Sequence, residues 1–166
     1  MYVHATAVLP PGTAIGGVQW QAQACRALYR SSLAQGQRGQ ILSRLTGRSR
    51  CLLRLADVEA RLGVHDRCDA GVQTVSIARI RGSGDRAHDF DPDFHPLQSH
   101  TGARWQGIAV AHQRGVALPP VALIQIGEIY FVLDGHHRIS VARAYGQTDI
   151  EARVTAWEVT EPLPWE

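Results

Sequence analysis

Apolar residues recur at helical spacing in the first part of the chain and at strand spacing in the rest. Trp20, Ala24, Ala27 and Leu28 share one helical face, and Gly36 and Gly39 are expected to end that helix. Ile41, Leu42 and Leu45 make a second apolar set that stops at Gly47, and a third helix is predicted over Leu53 to Leu62, with Gly63 past its end. Near Gly71 the period changes. "VQTVSIARI" (72–80) alternates and is β-branched, so it reads as a strand. "PVALIQI" (120–126) and "IYFVL" (129–133) read as strands joined by a tight Gly127-Glu128 turn. "IEARVTAW" (150–157) alternates again, with Ile150, Ala152, Val154 and Ala156 on one face. Between these, "GARWQGIAVAHQR" (102–114) and "RISVARAY" (138–145) have helical spacing. The stretch 81–100 is a long polar loop, too long for a plain connector.

The expected organisation is a flexible arm (1–17), an Arg-rich helical region (18–70), a core (71–158) and an irregular tail (159–166). Helices followed by β–loop–α–β–β–α–β predict an α/β (α+β) fold, a small mixed sheet preceded by an α-helical N-terminal region.

Composition narrows the setting. The 166 residues suit one domain, and 45% apolar content is enough for a core. No apolar run approaches a membrane span, no leader pattern opens the chain, and Cys25, Cys51 and Cys68 are too scattered for a disulfide framework, so a cytoplasmic setting is expected. Every one of the 17 basic residues is arginine. Each cation is therefore a planar fork suited to phosphate or carboxylate. Residues 1–70 carry a net charge of +5 and residues 71–166 one of −3. The front half includes Arg44, Arg48, Arg50 and Arg54, a candidate contact for DNA or protein, though without interleaved aromatics solvated helix faces account for the charge more simply.

The chemistry concentrates in two places. In "FVLDGHHRIS" (131–140) a strand runs into Asp134-Gly135, two histidines and an arginine, and then a helix. The first N–H groups of a helix lack internal partners and carry the positive end of its dipole, which makes the junction an anion site. Gly135 permits close backbone approach, and His136, His137, Arg138 and Ser140 add donors. Asp134 fits two plainer roles, as N-cap or as partner of Arg138 four residues on. The second place is "RGSGDRAHDFDPDFH" (81–95), where Asp89, Asp91 and Asp93 alternate between His88 and His95. An EF-hand is excluded, because Phe94 stands at the required glycine and His100 at the final glutamate. The loop is either a solvated turn shaped by Pro92 and Pro96 or a functional segment held down by Phe90 and Phe94. "GSGDR" lacks the third glycine of a dinucleotide fingerprint, and no G-x-S-x-G element marks a hydrolase. His112 and Trp105 read as core residues.

The segment 119–154 resembles the core of the ParB/sulfiredoxin superfamily, in which a β-hairpin leads into a G-x-x-R turn that opens a helix. ParB partition proteins carry Gly-Glu-Arg-Arg at this turn, sulfiredoxins Gly-Cys-His-Arg, and free serine kinases a form close to Asp-Gly-His-His-Arg. The resemblance spans roughly residues 72–157 and implies that Gly135, His136, His137 and Arg138 hold nucleotide phosphates (ATP, ADP or CTP), with Arg86 adding a contact; the Gly82-Ser83-Gly84 run is read as a source of backbone donors to the same phosphates. In the same loop Asp89 or Asp91 is a candidate to hold Mg²⁺ through one or two carboxylates; Asp89, Asp91 and His137 are candidate acid–base groups in NTP hydrolysis or phosphoryl transfer. His136 stands where sulfiredoxins place their cysteine, which removes thiol chemistry. A nucleotide-responsive adaptor for DNA or protein, or a ParB-like nuclease, are the alternatives.

Overall fold

The computed structural model describes residues 13–47 and 51–160. A six-stranded mixed sheet runs in the order β1 (Leu53–Arg54), β3 (Ile80–Ser83), β5 (Ile129–Asp134), β4 (Val121–Ile126), β6 (Asp149–Val159), β2 (Val64–Ser76). β4 and β5 form the expected antiparallel hairpin, and Gly127 supplies the positive φ of its turn. β3 pairs parallel with β5, and β4 parallel with β6. Such parallel pairs need crossovers. α3 (Gly102–Gln113) lies between β3 and β4 in sequence, and α4 (His136–Ala144) between β5 and β6. The fold class is thus mixed α/β, preceded by a long helix, α1 (Thr13–Thr46).

Strand alternation sorts the core onto the two faces. Val121, Leu123, Tyr130, Val132, Ala152 and Val154 pack with Ile139 of α4 and with Phe90 and Phe94 of the long loop. Ile124, Ile126, Phe131 and Trp157 point the other way, onto Leu55 and Val58 of α2 (Leu55–Glu59). A third layer joins Cys25 and Tyr29 of α1, Trp105 and Ala109 of α3, and Val141 of α4. Trp105 is a core residue as expected; its indole N–H donates to Ser140 Oγ at 2.8 Å. The three cysteines are free thiols. No helix among the described residues is long and apolar enough to cross a membrane.

The structure departs from the sequence expectations mainly before Gly84. α1 is continuous through Gly36 and Gly39. A Cβ at Gly36 would lie 2.7 Å from Pro96 O, so this glycine lets the long loop lie directly on the helix rather than ending it. The buried face is Cys25, Tyr29, Ser32 and Gly36, whereas Trp20 is 69% and Leu45 79% exposed. The helix predicted over Leu53 to Leu62 is confined to Leu55–Glu59, because Leu53 and Arg54 pair with Gly82 and Ser83. β2 starts at Val64, upstream of Gly71, which sits at a bulge with φ of 75° where the register with β6 shifts. The strand expected to run to Ile80 gives way to a 3₁₀ turn at Ile77–Arg79. Of the expected arm, residues 1–12 lie outside the described ones and Thr13 already belongs to α1; the tail beyond Thr160 also lies outside them, and Val159 ends β6.

Candidate functional site

Gly135 is the N-cap of α4, with φ of 104° and no side chain capping the helix. Its conformation excludes most L-residues, and a Cβ there would lie 2.5 Å from Val121 Cγ1. Asp134 is not the cap. It pairs with Arg138 at 2.6 Å, the second of its two expected roles. Arg138 also donates to the carbonyls of Pro119 and Pro120, so its guanidinium fastens the turn to the segment entering β4. The amino end of α4 is therefore left without a carboxylate or hydroxyl on it, the condition under which an anion binds best.

A cavity of about 140 Å³ opens there, lined by Asp85, Arg86, Arg104, Ile108, Leu133, Asp134, Gly135, His136, His137 and Arg138. His136 and His137 are both buried. His136 Nε2 lies 2.7 Å from Ser83 Oγ, and its ring stacks on Phe90. His137 meets the same phenyl ring edge-on, and its Nε2 is buried without a hydrogen-bond partner. Such atoms are uncommon in native proteins and call for an explanation. Burial pushes both imidazoles down from 6.5 to about 4. On His136 Asp85 opposes this, and Arg86 and His137 add to it. On His137 Arg104 and Arg86 add to it and Asp89 opposes it. At neutral pH the cavity thus combines two neutral imidazoles with the side chains of Arg86, Arg104 and Arg138.

The remaining candidates divide. Arg86 lines the cavity. Ser83 does not: it is fully buried in β3, accepts from Arg86 N–H at 2.9 Å and reaches the site only through His136. The Gly82-Ser83-Gly84 run offers no free cradle either, since Gly84 N–H donates to Val132 O. Asp89 acts on His137 electrostatically but does not line the cavity, and Asp91 lies elsewhere. Asp91 Oδ1 accepts from the N–H groups of Asp93 and His95 at 2.9 and 2.8 Å, and Oδ2 meets His95 Nδ1 at 3.0 Å. Burial raises this carboxyl, but the bonds from His95 and Asp93 outweigh it and leave it below 3.8. Asp91 is thus the clasp of a tight turn in which Phe94 has a φ of 59°. Its nearest potential metal ligands are Asp93 and His95, not Asp89. An Asp89–Asp91 pair does not fit Mg²⁺, which needs carboxylate oxygens free to enter an octahedral shell.

No protein-family model matches the chain, and no curated protein matches it. Among solved structures the chain is similar to sulfiredoxin from Arabidopsis thaliana, at 15% identity and a TM-score of 0.37, over 50% of this chain and 82% of that one. The site rests on its own geometry.

Sequence reasoning did not single out Asp85 and missed Arg104. Asp85 sits in the loop already under suspicion, only a few residues before the alternating aspartates that drew attention. Arg104 had no local signal, because it projects from α3, a helix brought to the cavity by packing. His112, expected to be a satisfied core residue, is half-buried with its Nε2 lacking a hydrogen-bond partner and its ring edge-on to Tyr145. Of the arginines expected to contact DNA or protein, Arg44 is exposed at the end of α1 and Arg54 faces Asp57 at 3.9 Å; Arg48 and Arg50 lie outside the described residues.

Proposed function

We propose that this protein binds a nucleotide through its phosphates at the amino end of α4, in the manner implied by the ParB/sulfiredoxin resemblance. The observation that carries the reading is the unpartnered His137 Nε2, buried in an arginine-lined cavity at a helix start that no side chain caps. A phosphate oxygen would satisfy that nitrogen and the helix N–H groups together. The cavity, about 140 Å³, is too small for a whole nucleotide, so the phosphates occupy it and the nucleoside lies over the rim formed by Ile108 and Leu133. Turnover, as hydrolysis or phosphoryl transfer, would use a carboxylate of the same loop: Asp85 would take the proton of the attacking hydroxyl or water.

Calorimetry with ATP, ADP and CTP, with and without Mg²⁺, tests the reading. Binding of at least one is expected, and its loss in an Arg86→Ala/Arg104→Ala double variant that remains folded. No binding by any of them sinks the proposal. Release of inorganic phosphate by the wild type, lost in Asp85→Asn, would establish turnover. The adaptor reading keeps one observation of its own. Ile41, Leu42 and Leu45 are exposed beside Arg44 at the end of α1, a surface more suited to a protein than to DNA.

A further inference from the structure

Two adjacent imidazoles in the cavity are treated differently by their surroundings. Ser83 Oγ accepts from Arg86 N–H at 2.9 Å, so the hydroxyl proton is directed to its other neighbour, His136 Nε2, at 2.7 Å. His136 then carries its own proton on Nδ1. A proton added at Nε2 would turn the Ser83 hydroxyl into the acceptor and leave the hydroxyl's own buried proton without a partner. His137 Nε2 has no bond to break. The charged and titratable groups acting on it come from each neighbouring segment: Arg86 and Asp89 after β3, His100 of the 3₁₀ turn before α3, Arg104 of α3, and His136 beside it. Burial, with Arg104 and Arg86 adding to it, holds His137 neutral in the free protein. A phosphate would reverse the sign of the local field and give Nε2 an acceptor.

We propose that phosphate capture at this site is proton-linked, with the proton taken by His137, while Ser83 is a positioning residue that holds His136 in its Nδ1–H tautomer. The inference rests on the nucleotide-phosphate reading and adds to it which ring titrates and why the other does not.

The experiment is calorimetry of ADP binding in two buffers of equal pH and unlike ionisation enthalpy, which yields the protons taken up. Wild type is expected to take up about one proton more than His137→Gln near neutral pH, any titration of ADP itself cancelling in the difference. Ser83→Ala, which frees His136 Nε2, is expected to take up more than wild type. Should His137→Gln no longer bind, two-bond ¹H–¹⁵N spectra of the wild-type complex read the rings directly. A cationic pattern at His137 and a neutral Nδ1–H pattern at His136 are expected. Equal uptake by wild type and His137→Gln, or a neutral His137 in the complex, overturns the inference and leaves phosphate binding standing. Failure of ADP, ATP and pyrophosphate alike to bind overturns the phosphate reading and this inference with it.

Discussion

Two turns of this molecule look alike as sequence and differ as chemistry. "DGHHR" (134–138) and "DPDFH" (91–95) each join aspartate and histidine around a residue of positive φ, Gly135 in one and Phe94 in the other. In the second turn the polar groups answer one another: Asp91 takes two backbone N–H groups and the His95 ring, and Asp93 pairs with Arg143 at 3.1 Å. In the first, the helix start is left without a side-chain cap and His137 Nε2 without a partner. Acidic and imidazole content does not distinguish a site from a clasp. Between these two turns incomplete hydrogen bonding does, because a buried group left unsatisfied costs stability that a ligand can return.

The largest effect that would separate the turns is expected from Gly135→Ala. The new methyl group meets Val121 Cγ1 at 2.5 Å, and the residue must keep a φ of 104°. Together these cost about 3 kcal/mol or more. Thermal unfolding should shift sharply downward, and nucleotide binding should be lost even where the fold survives. An unchanged melting temperature would show that the turn is not held as described.

Acid comes next, and it should strike the turns in different ranges. Both cavity imidazoles are depressed from 6.5 to about 4, so the unfolded chain binds protons that the folded protein excludes. Their neutral state costs nothing above pH 6.5, and stability falls as pH drops from there towards about 4. The Asp91 carboxyl is lowered, so its contribution is present above 3.8 and is lost only as pH falls below that value. Denaturant melts across pH should show an early loss that a His136→Gln/His137→Gln variant lacks. The later loss should vanish in Asp91→Asn. A single loss removed by neither change would contradict the assignment.

Asp91→Ala itself is expected to destabilise by roughly 2 kcal/mol, through two orphaned backbone N–H groups in a turn that anchors Phe90 and Phe94. Its affinity for ADP should stay within about twofold of wild type, a difference under about 0.5 kcal/mol. A large fall in affinity at unchanged stability would restore Asp91 to the site.

How far these roles were legible follows from how local their causes are. The β4–β5 hairpin, α3, α4 and β6 declare themselves through spacing and through the glycines that close them, and the anion site at Gly135 follows from a strand running into a helix. The continuity of α1 was hidden because a helical glycine reads as a breaker, whereas Gly36 answers to Pro96, sixty residues away in sequence. β1 was hidden because two residues carry no period, and the first half of β2, upstream of Gly71, because a charged edge strand lacks apolar alternation there. Asp91 was misplaced for a related reason. A carboxylate in a His/Asp-rich loop has the same composition whether it faces a ligand or its own backbone, and only the fold decides which.

The smallest effects test the comparison through its two arginines. Arg104 lines the cavity from α3 and is exposed; Arg143 leaves α4 and holds Asp93 of the clasp. Arg104→Ala removes a cation facing the phosphates without removing a buried contact, so the melting temperature should hold within error. ADP affinity should fall by about three- to tenfold at low salt, and less at high salt, because an exposed charge is screened. Arg143→Ala should behave in the opposite way. It loses at most about 1 kcal/mol of stability from a half-exposed pair and leaves ADP affinity where it was. Measuring both constants for both variants in parallel gives a two-by-two pattern. If Arg143→Ala were the one that weakened ADP, the ligand would be bound on the clasp side of α4, in the neighbouring pocket lined by Asp93, His95 and Arg143, and the division between the two turns would be reversed.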